Sequence, residues 1–214
     1  MDECENPIRQ GVAAGRPADT VNERVGARLR ALRRARGLSL EALAARSGVS
    51  RSMISLVERA ATSPTAVLLE KLSASLDVSL ASLFEDPQRL PLPLARRRDQ
   101  TSWQDPQSGY LRRNVSPTGP DVPVQIVEVE FPPSARLAYE AAPRSVRIHQ
   151  QIWMLAGQME IGQGEDCYRL ATGDCLALEL DQAVSFYNPS RRAARYAVIL
   201  SGQSCLPLST LEDR

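Results

Sequence analysis

The segment Leu40-Glu-Ala-Leu-Ala-Ala-Arg-Ser-Gly-Val-Ser-Arg-Ser-Met-Ile-Ser-Leu-Val-Glu-Arg59 reads as two helices joined by a tight turn. Two helices that cross steeply need a small residue at the crossing, and Ala44 supplies one. The turn between them needs a backbone that tolerates positive φ, and Gly48 supplies that. Leu43, Val49, Ile54 and Val57 fall where such a pair must bury its inner side.

Outward from this pair the helical pattern continues. Thr20 and Glu23 form a T-x-x-E capping box ahead of Val25, Leu29 and Leu32 on one face, and Gly37 stops that helix. Ser39 caps the next helix, which ends at Gly48, and Ser50 caps a third that runs to about Arg59. Ser63-Pro64 opens a fourth, with Leu68, Leu69, Leu72 and Leu76 as its buried stripe. Ser79 caps a last short helix ending at Phe84. Between Asn22 and Ala60 nine arginines stand against three glutamates, the footprint of a surface that meets a polyanion.

The chain of 214 residues has room for two small domains, each with its own core. Its apolar content of 43 % is that of a soluble protein, and no run is long enough to span a bilayer. Residues 1–20 are polar and lack the apolar centre of a signal peptide, which reads as a disordered leader in a cytoplasmic protein. Cys4, Cys167, Cys175 and Cys205 are scattered without a C-x-x-C pair. That pattern argues against a zinc ribbon or a disulfide framework and for reduced thiols.

The pattern changes near Asp86. Asp86-Pro-Gln-Arg-Leu-Pro-Leu-Pro-Leu-Ala cannot continue a helix, and beyond Trp103 the apolar residues recur with period two. This predicts a leader (1–20), a helical domain (21–86), a Pro-rich linker (87–103) and an all-β domain (104–214). The clearest strands are 124–131, 146–155, 158–162, 168–170, 175–178, 184–187 and 195–200. Many short strands separated by turn residues suggest a small sandwich or barrel.

The helical residues, over about Asn22 to Phe84, resemble the lambda-repressor-like helix-turn-helix of the xenobiotic-response-element family of transcriptional regulators. The resemblance implies that the third helix enters the major groove of double-stranded DNA and reads an operator. Arg51 and Ser52 become base-reading candidates, with Ser55 one turn later, because the arginine fork can span guanine O6 and N7. Ser39 and Ser50 sit at helix N-termini, where hydroxyls and free N–H groups either cap the helix or also meet phosphate. Arg34 and Arg59 complete the set of expected DNA contacts. Leu40 departs from the family, which often carries a phosphate-binding Gln after the Ser39 position. The resemblance casts Arg33 and Glu58 as an ion pair that props the recognition helix, since an acidic group facing DNA would be repelled by phosphate.

The β half resembles the cupin family, a double-stranded β-helix or jelly-roll barrel. The likeness rests on Gln150-Gln-Ile-Trp-Met-Leu-Ala-Gly157 and on Gly173-Asp174 followed by Asn188-Pro189. Metal-bearing cupins hold their metal with two His and a Glu from the first motif and a His from the second. Here the Glu position holds Gln150, 142–146 contains no His, and the second-motif His position is Val184. No metal and no cofactor are expected. Strand parity puts Val146, Ile148, Gln150, Ile152 and Met154 inside and turns His149, the only histidine, outward. By the same parity Gln150, Ile152, Met154, Val184 and Phe186 line a ligand pocket, to which Gln125, Tyr139 and Tyr168 are added. Arg112 and Arg113 offer an anchor for an anionic ligand.

Three functions follow from these readings. One is a homodimeric regulator whose cupin domain binds a small-molecule effector, its barrels paired through their sheets. Another is a regulator whose cupin domain only dimerises. A third is a cupin isomerase or dioxygenase fused to a DNA-binding domain, for which no metal set or acid–base pair is visible.

Overall fold

Each helix of the N-terminal half begins where a side chain can take up its free N–H groups. The computed structural model describes residues 20–85, 92–117, 123–142, 144–145, 148–179 and 182–202. Except for Thr20, which caps the first helix, the expected leader (1–20) lies outside the described residues, as do the first part of the linker, Cys4, Val146 and Cys205. Thr20 and Glu23 form a reciprocal capping box at the start of α1 (Val21–Ala35). The Ser39 hydroxyl accepts from Ala42 N at the start of α2 (Leu40–Ser47), and Gly48 ends that helix at φ 67°. Ser50 accepts from Met53 N at the start of α3 (Arg51–Glu58). α4 spans Ala66–Ser75 and is capped by Thr65, not by the expected Ser63-Pro64. Pro64 lies just before that cap, so the breaker residue marked the helix start two residues early. The fifth helix, Leu80–Phe84, is a 3-10 helix capped by Ser79. Leu69, Leu72 and Leu76 are buried as expected, whereas Leu68 sits half-buried at the edge of that stripe.

The β half folds into two facing antiparallel sheets, ten strands among the described residues. The larger contains β1 (Ser102–Gln104), β2 (Leu111–Asn114), β3 (Val124–Phe131), β5 (Ile148–Ala156), β8 (Cys175–Glu179) and β10 (Ala194–Gly202), in the order β1-β2-β3-β10-β5-β8. The smaller is ordered β4-β9-β6-β7, from β4 (Arg136–Tyr139), β6 (Gln158–Gln163), β7 (Asp166–Ala171) and β9 (Val184–Tyr187). The two facing sheets close into a jelly-roll-type barrel. β5 alternates buried and exposed as its parity requires, with Ile148, Gln150, Ile152 and Met154 inward and His149 outward. Three strands escaped the sequence reading: β1 is three residues long, and β2 and β4, unlike Val184-Ser-Phe-Tyr187, show no alternation of apolar and polar residues. β1 begins the sheet at Ser102, inside the stretch expected to be linker, because it pairs with β2 (Trp103 opposite Arg112).

The two halves were expected to be joined only by a linker, yet their buried side chains form one continuous core. Asp105, 1 % exposed, reaches from the β half to accept from Ala66 N at 2.8 Å, satisfying an orphan N–H at the start of α4. Its other oxygen accepts from Ser108 N and Ser108 Oγ. Phe84 of the 3-10 helix packs at a tilt against Trp103 (5.4 Å), and Trp103 meets Tyr110 edge-on (6.0 Å). Asn114 donates to Ala81 O, while Arg144 donates to Val78 O and pairs with Glu70. The seam carries both apolar contact and directional hydrogen bonds, which holds the helical domain against one rim of the barrel.

Candidate functional site

The helical domain is assembled to hold α3 rigidly by one face. Ile54 and Val57 are buried, and α1 approaches so closely that a Cβ on Gly26 would lie 2.4 Å from Val57 O. Arg33 grips Glu58 through two parallel bonds, Nε to Oε1 at 2.6 Å and Nη2 to Oε2 at 2.8 Å. Its Nη1 also donates to Leu38 O at 2.8 Å. Hydrogen bonding to Glu58 raises the guanidinium pKa above its ordinary value, against the opposing effect of burial. Arg30 adds a bond to Glu58 O at 3.0 Å. The pair inferred from the family resemblance is thus present, and it braces α3 against α1.

The opposite face of α3 is open. Arg51 and Ser52 are exposed in its first turn, and Ser55 is half-buried one turn on. Ser50 caps the helix and its hydroxyl lies 3.2 Å from that of Ser52. Arg51 Nε contacts Glu41 at 2.7 Å on the first turn of α2, so the starts of α2 and α3 form one patch that also holds Ser39. The backbone N–H at the α2 terminus, with Ser39, keeps the Glu41 carboxyl below the usual range. Leu40 packs its side chain against the core edge, which accounts for an apolar residue there. Arg34 and Arg59 lie elsewhere. They flank a shallow groove between α1 and the C-terminal end of α3, together with Arg30, and Arg59 donates back to Ser55 O.

The second candidate is a cavity of about 80 Å³ inside the barrel. Of the residues expected to line it, Gln150, Val184, Phe186, Tyr139 and Arg112 do. Ile152 and Met154 point inward but are fully buried in the packed core beyond it. The other expectations are corrected. Gln125 turns to the helical domain, accepting from Ser79 Oγ at 2.6 Å and donating to Glu85. Tyr168 is exposed on β7, an outer strand of the smaller sheet. Arg113 points out of the sheet opposite to Arg112, bonded to Gln100 and paired with Glu128. Successive residues of a strand face opposite ways, so only one of the two arginines can enter the barrel.

Residues that the sequence reading missed complete the lining. Tyr110 precedes β2, and Tyr196 follows the inward parity of β10, a signal that the same alternation argument could have used. Glu70 of α4 and Leu80 of the 3-10 helix also reach it, so the helical domain forms part of the cavity wall. Burial raises the pKa of Tyr139 and Tyr196 well above the ordinary phenol value. Burial likewise raises that of Tyr110, with Arg112 pulling the other way. Gln150 and Val184, at the positions of a cupin's Glu and His ligands, both face the cavity. A neutral amide and an isopropyl group do not fit a transition metal. Among the described residues, no three His, Cys, Asp or Glu side chains converge. Cys167 and Cys175 are free and exposed. No helix among the described residues is long and apolar enough to cross a membrane.

Comparison with known proteins agrees with this division. Residues 29–83 match the helix-turn-helix family HTH_3. Over 63 residues the chain is 41 % identical to the HTH-type transcriptional regulator SinR of Bacillus subtilis (strain 168), a match covering 29 % of this chain and 57 % of that protein. The chain therefore spans little more than half the length of that relative. A longer match, 23 % identical over 169 residues, covers 78 % of this chain and 89 % of the HTH-type transcriptional regulator SutR of Escherichia coli (strain K12). The crystal structure of an HTH_3 family transcriptional regulator from Vibrio cholerae superposes on 85 % of this chain and 96 % of its own, with a TM-score of 0.68 and 24 % identity. That likeness extends the shared fold from the helices into the β half. Residues 29–83 thus form a helix-turn-helix domain similar to the HTH_3 type, and a two-sheet β-barrel follows it.

Proposed function

We propose that this protein is a sequence-specific DNA-binding transcriptional regulator whose barrel binds a small-molecule effector. The observation that carries the reading is α3. Its inner face is buried and braced by the Arg33–Glu58 pair, while Arg51 and Ser52 project from its first turn with no packing role. In free protein Arg51 rests on Glu41, and on DNA it exchanges that exposed partner for a base edge. The effector half of the reading is supported by the cavity, whose wall includes Glu70 and Leu80 of the helical domain. A ligand seated there touches the DNA-binding half directly, without a signal crossing the linker.

A two-fold operator is the natural target of a homodimer. The outer face of the larger sheet supports that assembly, since Trp153 (49 % exposed) and Ile126 (37 % exposed) lie on it across the outward residues of β10. Selection of bound genomic fragments by the full chain, followed by titration of the recovered operator, tests the proposal. Arg51→Ala should cost about 1–3 kcal/mol of operator affinity and relax preference at one base pair. Equal binding of operator and scrambled DNA by the parent chain would end the reading. The reading of the barrel as a dimerisation platform alone predicts no metabolite response in the same titration.

A further inference from the structure

The cavity has lopsided chemistry. Much of its wall is apolar, with Val127, Val129, Leu137 and Phe186 prominent. Its polar groups are the Tyr110, Tyr139 and Tyr196 hydroxyls, the Gln150 and Gln182 amides, the Glu70 and Glu140 carboxylates and one cation, Arg112. Arg112 is 5 % exposed, and its guanidinium carbon lies 4.7 Å from the centroid of the Phe84 ring. Its Nε has no hydrogen-bond partner. Among the described residues no carboxylate forms an ion pair with it. The two acids in the lining are already engaged by cations outside it: Glu70 pairs with Arg144, and Glu140 with Lys71 at 2.9 Å. Asp105 spends its oxygens on Ala66 N and on Ser108. A buried guanidinium without a counter-ion is costly, and its planar donor fork matches a carboxylate.

We propose that the cavity binds a small organic carboxylate, its charged end on Arg112 beside the tyrosine hydroxyls and its apolar body against Val127, Val129, Leu137 and Phe186. The proposal rests on the effector-binding reading above and narrows the effector to an anion. Free space of about 80 Å³ holds on the order of five water molecules, which suits a ligand of roughly five to ten non-hydrogen atoms. With Glu70 and Glu140 paired off, one free cation in a largely apolar wall matches one negative charge on a hydrocarbon body better than a multiply charged phosphate. Burial keeps the phenols protonated at neutral pH; Tyr139 hydrogen-bonds Tyr110, and the Tyr110 and Tyr196 hydroxyls can donate to the anion. The helical domain supplies the seat's outer edge through Leu80, and Phe84 backs the guanidinium that the anion would hold.

Isothermal titration of the full chain at neutral pH with butyrate, 4-methylpentanoate and benzoate, each beside its primary amide, and with inorganic phosphate, decides the matter. At least one acid should bind, with its amide about tenfold to hundredfold weaker, the scale of charge-assisted hydrogen bonds lost at a buried site. Arg112→Met should abolish binding of that acid, and Arg112→Lys should retain part of it by keeping the charge without the fork. The acid–amide comparison on the parent chain stands even where a variant folds poorly. Binding of none of the acids, an amide that binds as well as its acid, or phosphate binding tighter than every acid would overturn the proposal. Unweakened acid binding by folded Arg112→Met would do the same. An amide that binds as well as its acid would leave the effector reading intact. A parent chain that binds an acid but no operator would break the regulatory reading and leave the anion site standing.

Discussion

Arg33 and Arg112 are both buried, at 8 % and 5 % exposure, yet the two regions around them are built on opposite plans. Arg33 lies in the α1–α3 seam, with two bonds to Glu58 and a third to Leu38 O. The backbones there approach closely enough to require Gly26. Arg112 lies at the barrel cavity with an unpartnered Nε, a ring beneath it and empty volume beside it. A seam whose arginine is bonded through all three of its nitrogens and whose backbones touch is finished as it stands, and its work is to hold shape. A site that buries a cation and keeps space next to it is complete only when something else enters.

The largest expected effect follows from unpairing the finished seam. Glu58→Gln leaves the Arg33 charge buried without its counter-ion, which typically costs about 3–5 kcal/mol. Urea unfolding of the full chain should show that loss, while the base preference of the residual folded protein stays that of the parent. Unchanged stability together with an altered operator consensus would mean that Glu58 reads DNA and does not brace α3.

Gly26 tests the same seam by volume. The Cβ of Gly26→Ala would meet Val57 O, a backbone atom that cannot rotate away, so α1 and α3 must part. Overpacking of this kind costs about 1–3 kcal/mol. The better helix propensity of Ala returns about 1 kcal/mol, and a net loss on the order of 1–2 kcal/mol should remain. Thermal unfolding measures it. A stabilised variant would show that the seam has slack, and the contrast with the barrel would fail.

The helical domain was legible in the sequence because its determinants are local. Thr20, Ser39, Ser50 and Ser79 each cap a helix within three residues of themselves, and Gly48 makes its own turn. β3, β5 and β9 were legible because four or more alternating residues expose their parity. What escaped depends on partners distant in the chain. β1 exists because it pairs with β2, and Asp105 finds its role only on meeting Ala66. The domain seam turned Gln125 away from the expected pocket, and no pattern within β3 could show that Ser79 and Glu85 would be waiting for it. Arg112 and Arg113 looked equivalent until pairing fixed which of them faces inward.

The smallest expected effect is the one that separates the two arginines most cleanly. Arg112→Met removes a buried charge that has no counter-ion among the described residues, which relieves desolvation. It also removes a contact with the Phe84 ring, a cation–π interaction worth about 0.5–2 kcal/mol. Methionine retains an apolar, flexible chain that can lie on the same ring. The two terms oppose each other, so unfolding of the ligand-free chain should change by no more than about 1 kcal/mol in either direction. The same technique applied to Glu58→Gln supplies the scale. If Arg112→Met instead costs about 3 kcal/mol or more, the size of a broken buried pair, the chain itself satisfies Arg112. It would then be a second structural arginine like Arg33, and the barrel would be as finished as the helical seam.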